Sequence, residues 1–524
     1  MAVTVTGYGG VGEIGGNKFL LEDGETRLFL DFGTAFGRQQ RFFNEYLRPR
    51  AARGLLDLLA LGLIPPLEGL YRDDLVFAGL WQRFSGGRHY RALRRDDGRP
   101  AVDAVFISHA HLDHNGDLSY LDANVPIYST RVTAFIARAM QVSGASSFER
   151  ELIYTNPRRP SKSGELQADT KANYRLRPWA FLDGELGEEG QAFWERSCAS
   201  RKQLDCPPQH PGRLESVTLR WWPVDHSVPG AAAFAFETAA GWLAYSGDIR
   251  FHGQQGQLTE TLAKELARLQ PRVLLCEGTH LGSDVPFTEQ QVIDNALPLV
   301  RQAAGRLVVA DFGPRNVERL QSFLALARAT GRRLLVSTKD IYLLEAMSLA
   351  DPVAFAAPCS LPELGLYSDP KAALRPWEED LRRRWAGRTS SPEEVSRSPG
   401  DYILCFSLWD ANDLLDLEGV EGGIYLYSNS RAYDEEQAVD LQRLRNWVHH
   451  MQLTLYGDPD DASAVPLHAS GHAPGPALLQ FVREVRPQVL VPIHTEDPSW
   501  WEVQLAGTGI EVAIPQMGRP IALT

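Results

Sequence analysis

The stretch "FISHAHLDHNGD", Phe106–Asp117, sets three histidines and an aspartate within six positions, directly behind an apolar run. Residues Ala101–Ile107 read as a buried strand that delivers them to a turn. Side chains on an extended segment alternate sides, so His109 and His111 project together and can clasp one ion. Asp113 and His114 follow on the turn and can reach a second. Imidazole and carboxylate together suit Zn²⁺, with Mn²⁺ as the second choice.

Partners for this cluster lie far away in the chain. "WWPVDHSVPG" puts His226 at the end of one apolar run, "WLAYSGDIRFHG" puts Asp248 at another, and "VLVPIHTED" puts His494 at a third. Taken singly, each is an ordinary solvated strand-end residue. Taken together, they complete a seven-ligand site for two metal ions.

The rest of the chain is read around this cluster. Its 524 residues can bury a large core and hold two to four domains. The net charge of −13 argues against a generally adhesive surface for nucleic acid, although a metal site can supply local positive charge. Five scattered cysteines without CxxC pairs point to a reducing cytoplasm and away from a disulfide framework. No apolar run is long enough to span a membrane, and "MAVTVTGYGG" has no signal-peptide pattern.

Strands are predicted at Val3–Gly7, Lys18–Leu21 and Arg27–Asp31, and again at Ser216–Pro223, Ala231–Glu237 and Trp242–Tyr245. Residues 38–100 are rich in arginine and leucine with helical spacing and read as an insertion; residues 145–213 read as a second insertion or a set of long loops. From residue 288 the pattern alternates helix and strand, as in "RLVVADF" and "RRLLVST", which predicts a parallel sheet flanked by helices. Residues 385–400 read as a polar loop, and "LLQFVREVRPQVLVPIHTE" as a helix and strand ending on a histidine.

The order HxHxDH, distant His, Asp and His, with an early "LFLDFG", resembles the metallo-β-lactamase superfamily. The long gap between Asp248 and His494, and "LHASGHAPG" at Leu467–Gly475, resemble its β-CASP nucleases. "GGVGEIGGNKFLLE" and "DHSVPGAAAFAFET" are similar to ribonuclease J, while "HAHLDHNG" leans toward the cleavage-and-polyadenylation nucleases. The resemblance implies an α/β fold, a metallo-β-lactamase αββα sandwich with an inserted β-CASP α/β domain. It divides the chain into a first lactamase part at 1–287, a β-CASP domain at 288–455 and a closing lactamase part at 456–524.

Roles follow from the same resemblance. His109, His111 and His226 would hold one zinc; Asp113, His114 and His494 the other; Asp248 would bridge. Asp31 would orient the metal site. Glu277 in "LLCEGTH" and His472 in "SGHA" match further motif positions, Ser470 would help seat a phosphate, and His472 would serve the leaving oxygen. By formal charge count, two zinc ions with the Asp113 and Asp248 carboxylates and a hydroxide leave the site at about +1, enough to draw in a phosphodiester. Histidine rather than valine at position 494 resembles the members that act on RNA.

The implied activity is a zinc-dependent, ribonuclease J-like hydrolysis of single-stranded RNA in the cytoplasm, by exo- or endonucleolytic attack. A DNA nuclease, another phosphodiesterase, or a silent RNA-binding subunit are the alternatives, and a homodimer stays open. Where ribonuclease J carries a Gly-Ser-Gln-Gly-Glu-Pro segment, this chain has "ILCFSLWDANDL", so recognition of a 5′-monophosphate does not carry over. The arginines of the first insertion, among them Arg88, Arg91, Arg94 and Arg95, would either line the path of the RNA or pair with the acidic body.

Overall fold

The computed structural model describes residues 2–44, 46–197, 202–206, 217–283, 287–430 and 435–523; Glu45, Cys198 and Ser216 lie outside them. Three large sheets organise these residues. In the first, the strands Val3–Gly9, Lys18–Asp23 and Thr26–Leu30 form an antiparallel meander. Ala104–Phe106 then joins it, parallel to Thr26–Leu30. The second sheet contains Leu219–Pro223, Ala232–Thr238, Gly241–Tyr245, Val273–Glu277 and Val489–Ile493, the last three mutually parallel.

These two sheets pack face to face. Phe106 from the first meets Phe234 and Phe236 from the second, with ring centroids 5.6 and 4.8 Å apart. Aromatic pairs at such separations add about 0.5–1.5 kcal/mol each beyond the area they bury. On the outer face of the second sheet, the helices Gly256–Leu269 and Gly475–Val485 seat Leu262, Leu266, Leu478 and Phe481 in one core. The helix Arg131–Ser143 and the leucines of the first insertion share the core outside the first sheet. The result is the expected α/β sandwich of metallo-β-lactamase type.

A third sheet of seven strands is parallel throughout and draws them all from residues 308–456, between Val273–Glu277 and Val489–Ile493 of the second. Helices alternate with its strands because the sequence supplies caps at the right places. Thr288 opens Glu289–Gln302 with a capping box, and Gly331 at φ 67° closes Val317–Thr330.

Other local expectations are corrected. Among the described residues of 38–100 there are only short turns of helix, such as Leu56–Ala60, and a two-stranded ladder, Leu67–Glu68 with Arg91–Ala92. Gly54, Gly62, Pro65, Pro66 and Gly69 interrupt the apparent helical spacing, and the leucines pack as a cap on the sheet instead. Residues 145–213 contain real strands: Trp179–Phe181 extends the first sheet, and Tyr154–Thr155, Tyr174–Leu176 and Leu204–Asp205 form a small sheet of their own. The polar loop at 385–400 includes the helix Pro392–Arg397, opened by a Ser391 capping box. The fold continues beyond His494. A helix, Ser499–Gln504, precedes Glu511–Val512 and Pro520–Leu523, and the last of these pairs with Val3–Thr6.

Candidate metal centre

The site sits where strand ends converge. Gly241–Tyr245, Val273–Glu277 and Val489–Ile493 run parallel, so Asp248, Glu277 and His494 emerge on one edge of the second sheet. Thr26–Leu30 and Ala104–Phe106 bring Asp31 and His109 to the facing edge of the first. Open α/β sheets present their ligands at the carboxyl ends of strands for this topological reason.

Seven residues meet here. His109, His111, His226 and Asp248 form one group of converging ligand atoms, and Asp113, His114 and His494 form a second. One oxygen joins the two groups. Asp248 Oδ2 lies 3.5 Å from His109 Nε2, 3.9 Å from His226 Nε2, 3.1 Å from His114 Nε2 and 4.0 Å from His494 Nε2.

The hydrogen-bond network assigns the tautomers. His114 Nδ1 donates to Asp31 Oδ2 at 2.7 Å, and His226 Nδ1 donates to the Gly471 carbonyl at 2.6 Å. His109 Nδ1 donates to Ser108 Oγ at 3.0 Å, and that hydroxyl donates to Asp31 Oδ2 at 2.8 Å. His494 Nδ1 donates to Thr279 Oγ1 at 2.9 Å, which donates to Glu277 Oε2 at 2.6 Å. Each Nε2 is thereby left as an inward lone pair, the arrangement that partners behind metal-binding histidines impose. Asp31 anchors one set of rings and Glu277 the other.

The structure also tests whether these residues fit a cation. His109 Nε2 and His226 Nε2 lie 3.0 and 3.2 Å from His111 Nδ1. Burial holds all three rings neutral: His109 and His226 fall well below the usual range, and His111 falls to about 3. The Nε2 lone pairs of His109 and His226 thus point at one spot beside His111 Nδ1, a position a cation would fill. His114 Nε2 and Asp248 Oδ1 are buried with no hydrogen-bond partner, although His114 Nε2 is close to Asp248 in distance. Burial opposes charge on His114, yet Asp248, Asp113 and Asp31 raise it well above its ordinary value. That pull toward positive charge beside three carboxylates is one a metal ion would satisfy. Five imidazoles and two carboxylates suit a borderline divalent ion such as zinc.

His472 stands beside this centre. Its Nδ1 donates to Glu277 Oε2 at 3.0 Å and lies 3.9 Å from Asp248 Oδ2. Burial disfavours the charged ring, but Glu277 and Asp248 overcome it and push His472 up to about 9. Ser470 Oγ accepts from the His472 backbone N–H at 3.1 Å, so it fixes the turn that aims the imidazole. The neighbouring glycines serve packing. A Cβ on Gly471 would lie 2.6 Å from Ser227 Oγ and 3.2 Å from His226 Cε1, and one on Gly475 would lie 2.4 Å from the Leu281 carbonyl.

Asp31 and His494 both adopt left-handed backbone, φ 57° and 50°. Such conformations cost roughly 1–3 kcal/mol each and persist only where the surroundings dictate them. Here the Asp31 N–H donates to the Phe106 carbonyl at 2.8 Å and the His494 N–H to the Gly10 carbonyl at 2.9 Å.

Several contributors escaped the sequence reading. Ser108, Tyr245 and Thr279 orient the ligands; each lies within three residues of a named one, and that adjacency was the available signal. Arg315 is another. It follows the strand Val308–Asp311 of the third sheet, a carboxyl end of the kind that carries ligands. Three of the arginines named in the first insertion are ion-paired. Arg91 pairs with Glu22 at 2.8 Å, Arg95 with Asp103 at 2.6 Å and Arg94 with Asp73 at 3.6 Å. Arg91 and Arg95 are thus tied to carboxylates outside the insertion, and Arg94 to one within it.

Residues 78–167, which include the HxHxDH segment, match the metallo-β-lactamase superfamily model. The protein therefore has a metallo-β-lactamase-type α/β fold with a candidate metal centre at its strand ends.

More particularly, the chain resembles ribonuclease J proteins. It is 23% identical to ribonuclease J of Sinorhizobium meliloti over 427 residues, covering 80% of this chain and 62% of that one. It is 26% identical to the Mycobacterium tuberculosis protein over 294 residues, covering 52% and 46%. To that of Mycoplasma pneumoniae it is 20% identical over 518 residues, covering 93% and 67%. The chain thus spans about half to two thirds of the length of the curated relatives it matches. A crystal structure of a protein of unknown function from Enterococcus faecalis superimposes over the whole of both chains, with a TM-score of 0.66 and 20% identity, which supports the fold.

Proposed function

We propose that this chain is a metal-dependent ribonuclease of the ribonuclease J type, working in the cytoplasm on single-stranded RNA. In this reading residues 1–287 and 456–524 form the lactamase domain and 288–455 the inserted β-CASP domain. His109, His111 and His226 hold one Zn²⁺, Asp113, His114 and His494 the other, and Asp248 bridges, with Mn²⁺ as the alternative ion. The observation that carries the reading is the pair of ligand groups joined at Asp248 Oδ2, with inward lone pairs on both sides.

Bound there, such a pair of ions lowers the pKa of water enough to supply a nucleophile at neutral pH and offsets the charge of the phosphate. The chain's residues arrange the rest. Asp31 holds the His114 ring, and through Ser108 the His109 ring, so that neither turns as substrate enters. Glu277 keeps a proton on His472 Nδ1, which leaves Nε2–H to donate toward the phosphoryl group or the departing 3′-oxygen. Because His472 is not in the seven-ligand set, it can move a proton without loosening the ligands.

The test is cleavage of matched RNA and DNA oligonucleotides, labelled at either end and carrying 5′-monophosphate, triphosphate or hydroxyl, with Zn²⁺ or Mn²⁺ added. Preference for single-stranded RNA supports the reading. Equal or faster cleavage of single-stranded DNA overturns the RNA assignment.

A further inference from the structure

The segment Leu467–His472 carries the candidate proton donor, and guanidinium groups hold its backbone. Arg250, fully buried, is the first of them. Its Nη1 donates to the Ser470 carbonyl at 3.2 Å, its Nε to Asp225 Oδ1 at 3.0 Å and its Nη2 to Glu318 Oε2 at 2.6 Å. These partners come from three parts of the chain. Ser470 stands two residues before His472, and Asp225 directly before His226. Glu318 lies in the first turn of the helix Val317–Thr330, which flanks the third sheet.

The fork has little freedom. Asp225 Oδ2 accepts from the Gly253 N–H at 2.9 Å, and Glu318 Oε1 accepts from the Gln254 N–H at 3.0 Å, so each carboxylate is also held by its other oxygen. A Cβ on Gly253 would lie 2.4 Å from Arg250 Nη2, so glycine leaves the space the guanidinium occupies. A planar guanidinium with donors in fixed directions transmits position as well as charge, which a single ammonium does not.

The next residue of the same helix reaches the same segment. Arg319, 1% exposed, pairs with Glu289 at 2.8 and 2.9 Å. It also donates to the Leu467 carbonyl at 3.2 Å and the Ala469 carbonyl at 3.4 Å. Adjacent residues of one helix thus fasten carbonyls at 467 and 469 directly and at 470 through Arg250. Buried carbonyls need donors wherever they lie. Here part of the donor set is fixed by the third sheet's helix, outside the two sheets that carry the ligand cluster.

We propose that Arg250 is a positioning residue for His472: it ties the Ser470 carbonyl to Glu318, so that the seat of the helix Val317–Thr330 sets where the imidazole points. The proposal deepens the nuclease reading and rests on it for what His472 does to substrate. A shift of that helix against the two-sheet core is then felt at the proton donor, while the ligand cluster stays as it is.

The test compares the metal-loaded wild type with Arg250→Met, Arg250→Lys and Glu318→Gln, each checked for metal content and folding. The substrates are a single-stranded RNA 12-mer and bis(p-nitrophenyl) phosphate, whose nitrophenolate departs without a proton. In Arg250→Met, kcat on RNA is expected to fall roughly 10- to 100-fold with KM within about threefold, the scale of a misplaced group. Turnover of the nitrophenyl diester should stay within about threefold, because a good leaving group does not draw on the acid. Glu318→Gln should lose at least about threefold on RNA, and Arg250→Lys should recover only part of the Arg250→Met loss. A second readout needs no turnover. In protein labelled with ¹⁵N-histidine, the His472 imidazole resonance, identified by its loss in His472→Ala, should shift in both Arg250→Met and Glu318→Gln. An equal loss on both diesters, kcat on RNA within twofold of wild type in both variants, or an unmoved His472 resonance in both overturns the proposal. Should Arg250→Met not fold, Glu318→Gln decides by the same two readouts. A wild type that cleaves neither diester while the resonance shifts as expected leaves the positioning role standing and defeats the nuclease reading alone.

Discussion

His472 and Glu277 are paired, Nδ1 to Oε2 at 3.0 Å, across 195 residues of sequence. The pair sits against Asp248 and holds His472 protonated up to about 9, with burial opposing and Glu277 and Asp248 prevailing. Removing a group that stabilises charge in such a site commonly costs about 10²–10³ in rate. His472→Ala is expected to lose activity on that scale while keeping its metal content, read by elemental analysis of the same sample. Glu277→Gln should move the alkaline limb of the pH–rate profile to lower pH, because His472 then sheds its proton sooner. An unmoved limb would separate Glu277 from proton control.

Asp31 tests the ligand framework from behind. It accepts from His114, Ser108 and Tyr245 and contacts no substrate path. Its φ of 57° is one asparagine adopts readily, so Asp31→Asn keeps the backbone while weakening the acceptor. Metal affinity should drop about 10- to 100-fold, measured by competition with a chromophoric chelator. Undiminished affinity would show that the orienting contact is dispensable.

The third sheet carries its own pH dependence. Asp311 is buried and accepts from Tyr425 Oη at 2.6 Å and from Asn429, and burial pushes its carboxyl up to about 7. A folded-state value above the unfolded one means stability is fully present below about pH 4 and is lost as pH rises toward 7. The loss is on the order of 4 kcal/mol at most. Asp311→Asn should therefore flatten the decline in the urea midpoint between pH 5 and pH 8. A variant that declines as steeply as wild type would assign the loss elsewhere.

What the sequence disclosed and what it withheld divide along a physical line. His109, His226, Asp248 and His494 were legible because each follows an apolar strand, whose end composition marks locally, and His111, Asp113 and His114 because they crowd the turn behind the first of these. The alternating helices and strands after residue 288 were legible for the same reason. Charge pairing was not. Arg91 finds Glu22 and Arg72 finds Glu151, contacts that only the folded chain creates. The leucine spacing of residues 38–100 imitated a helix because period alone does not register the glycines and prolines that break it.

Those pairings change what the insertion's arginines should do. Arg91→Ala with Arg95→Ala removes ion pairs to Glu22 and Asp103, so it should cost some stability. It should leave the salt dependence of RNA binding as it was, since each lost phosphate contact would lower the slope by about 0.7. A slope reduced by that much in the folded variant would return these residues to the RNA path.

The most direct measurement is the rate of single-stranded RNA cleavage as metal is returned to chelated protein, followed alongside ions bound per chain, for wild type and Asp248→Asn. Wild type is expected to be silent without metal and to gain activity as two ions fill the site. Asp248→Asn, lacking the charged oxygen that both ligand groups share, should fall about 10²-fold or more at equal added metal. Cleavage that persists at full rate in the chelated protein, or in Asp248→Asn, would contradict a metal-dependent nuclease at this centre.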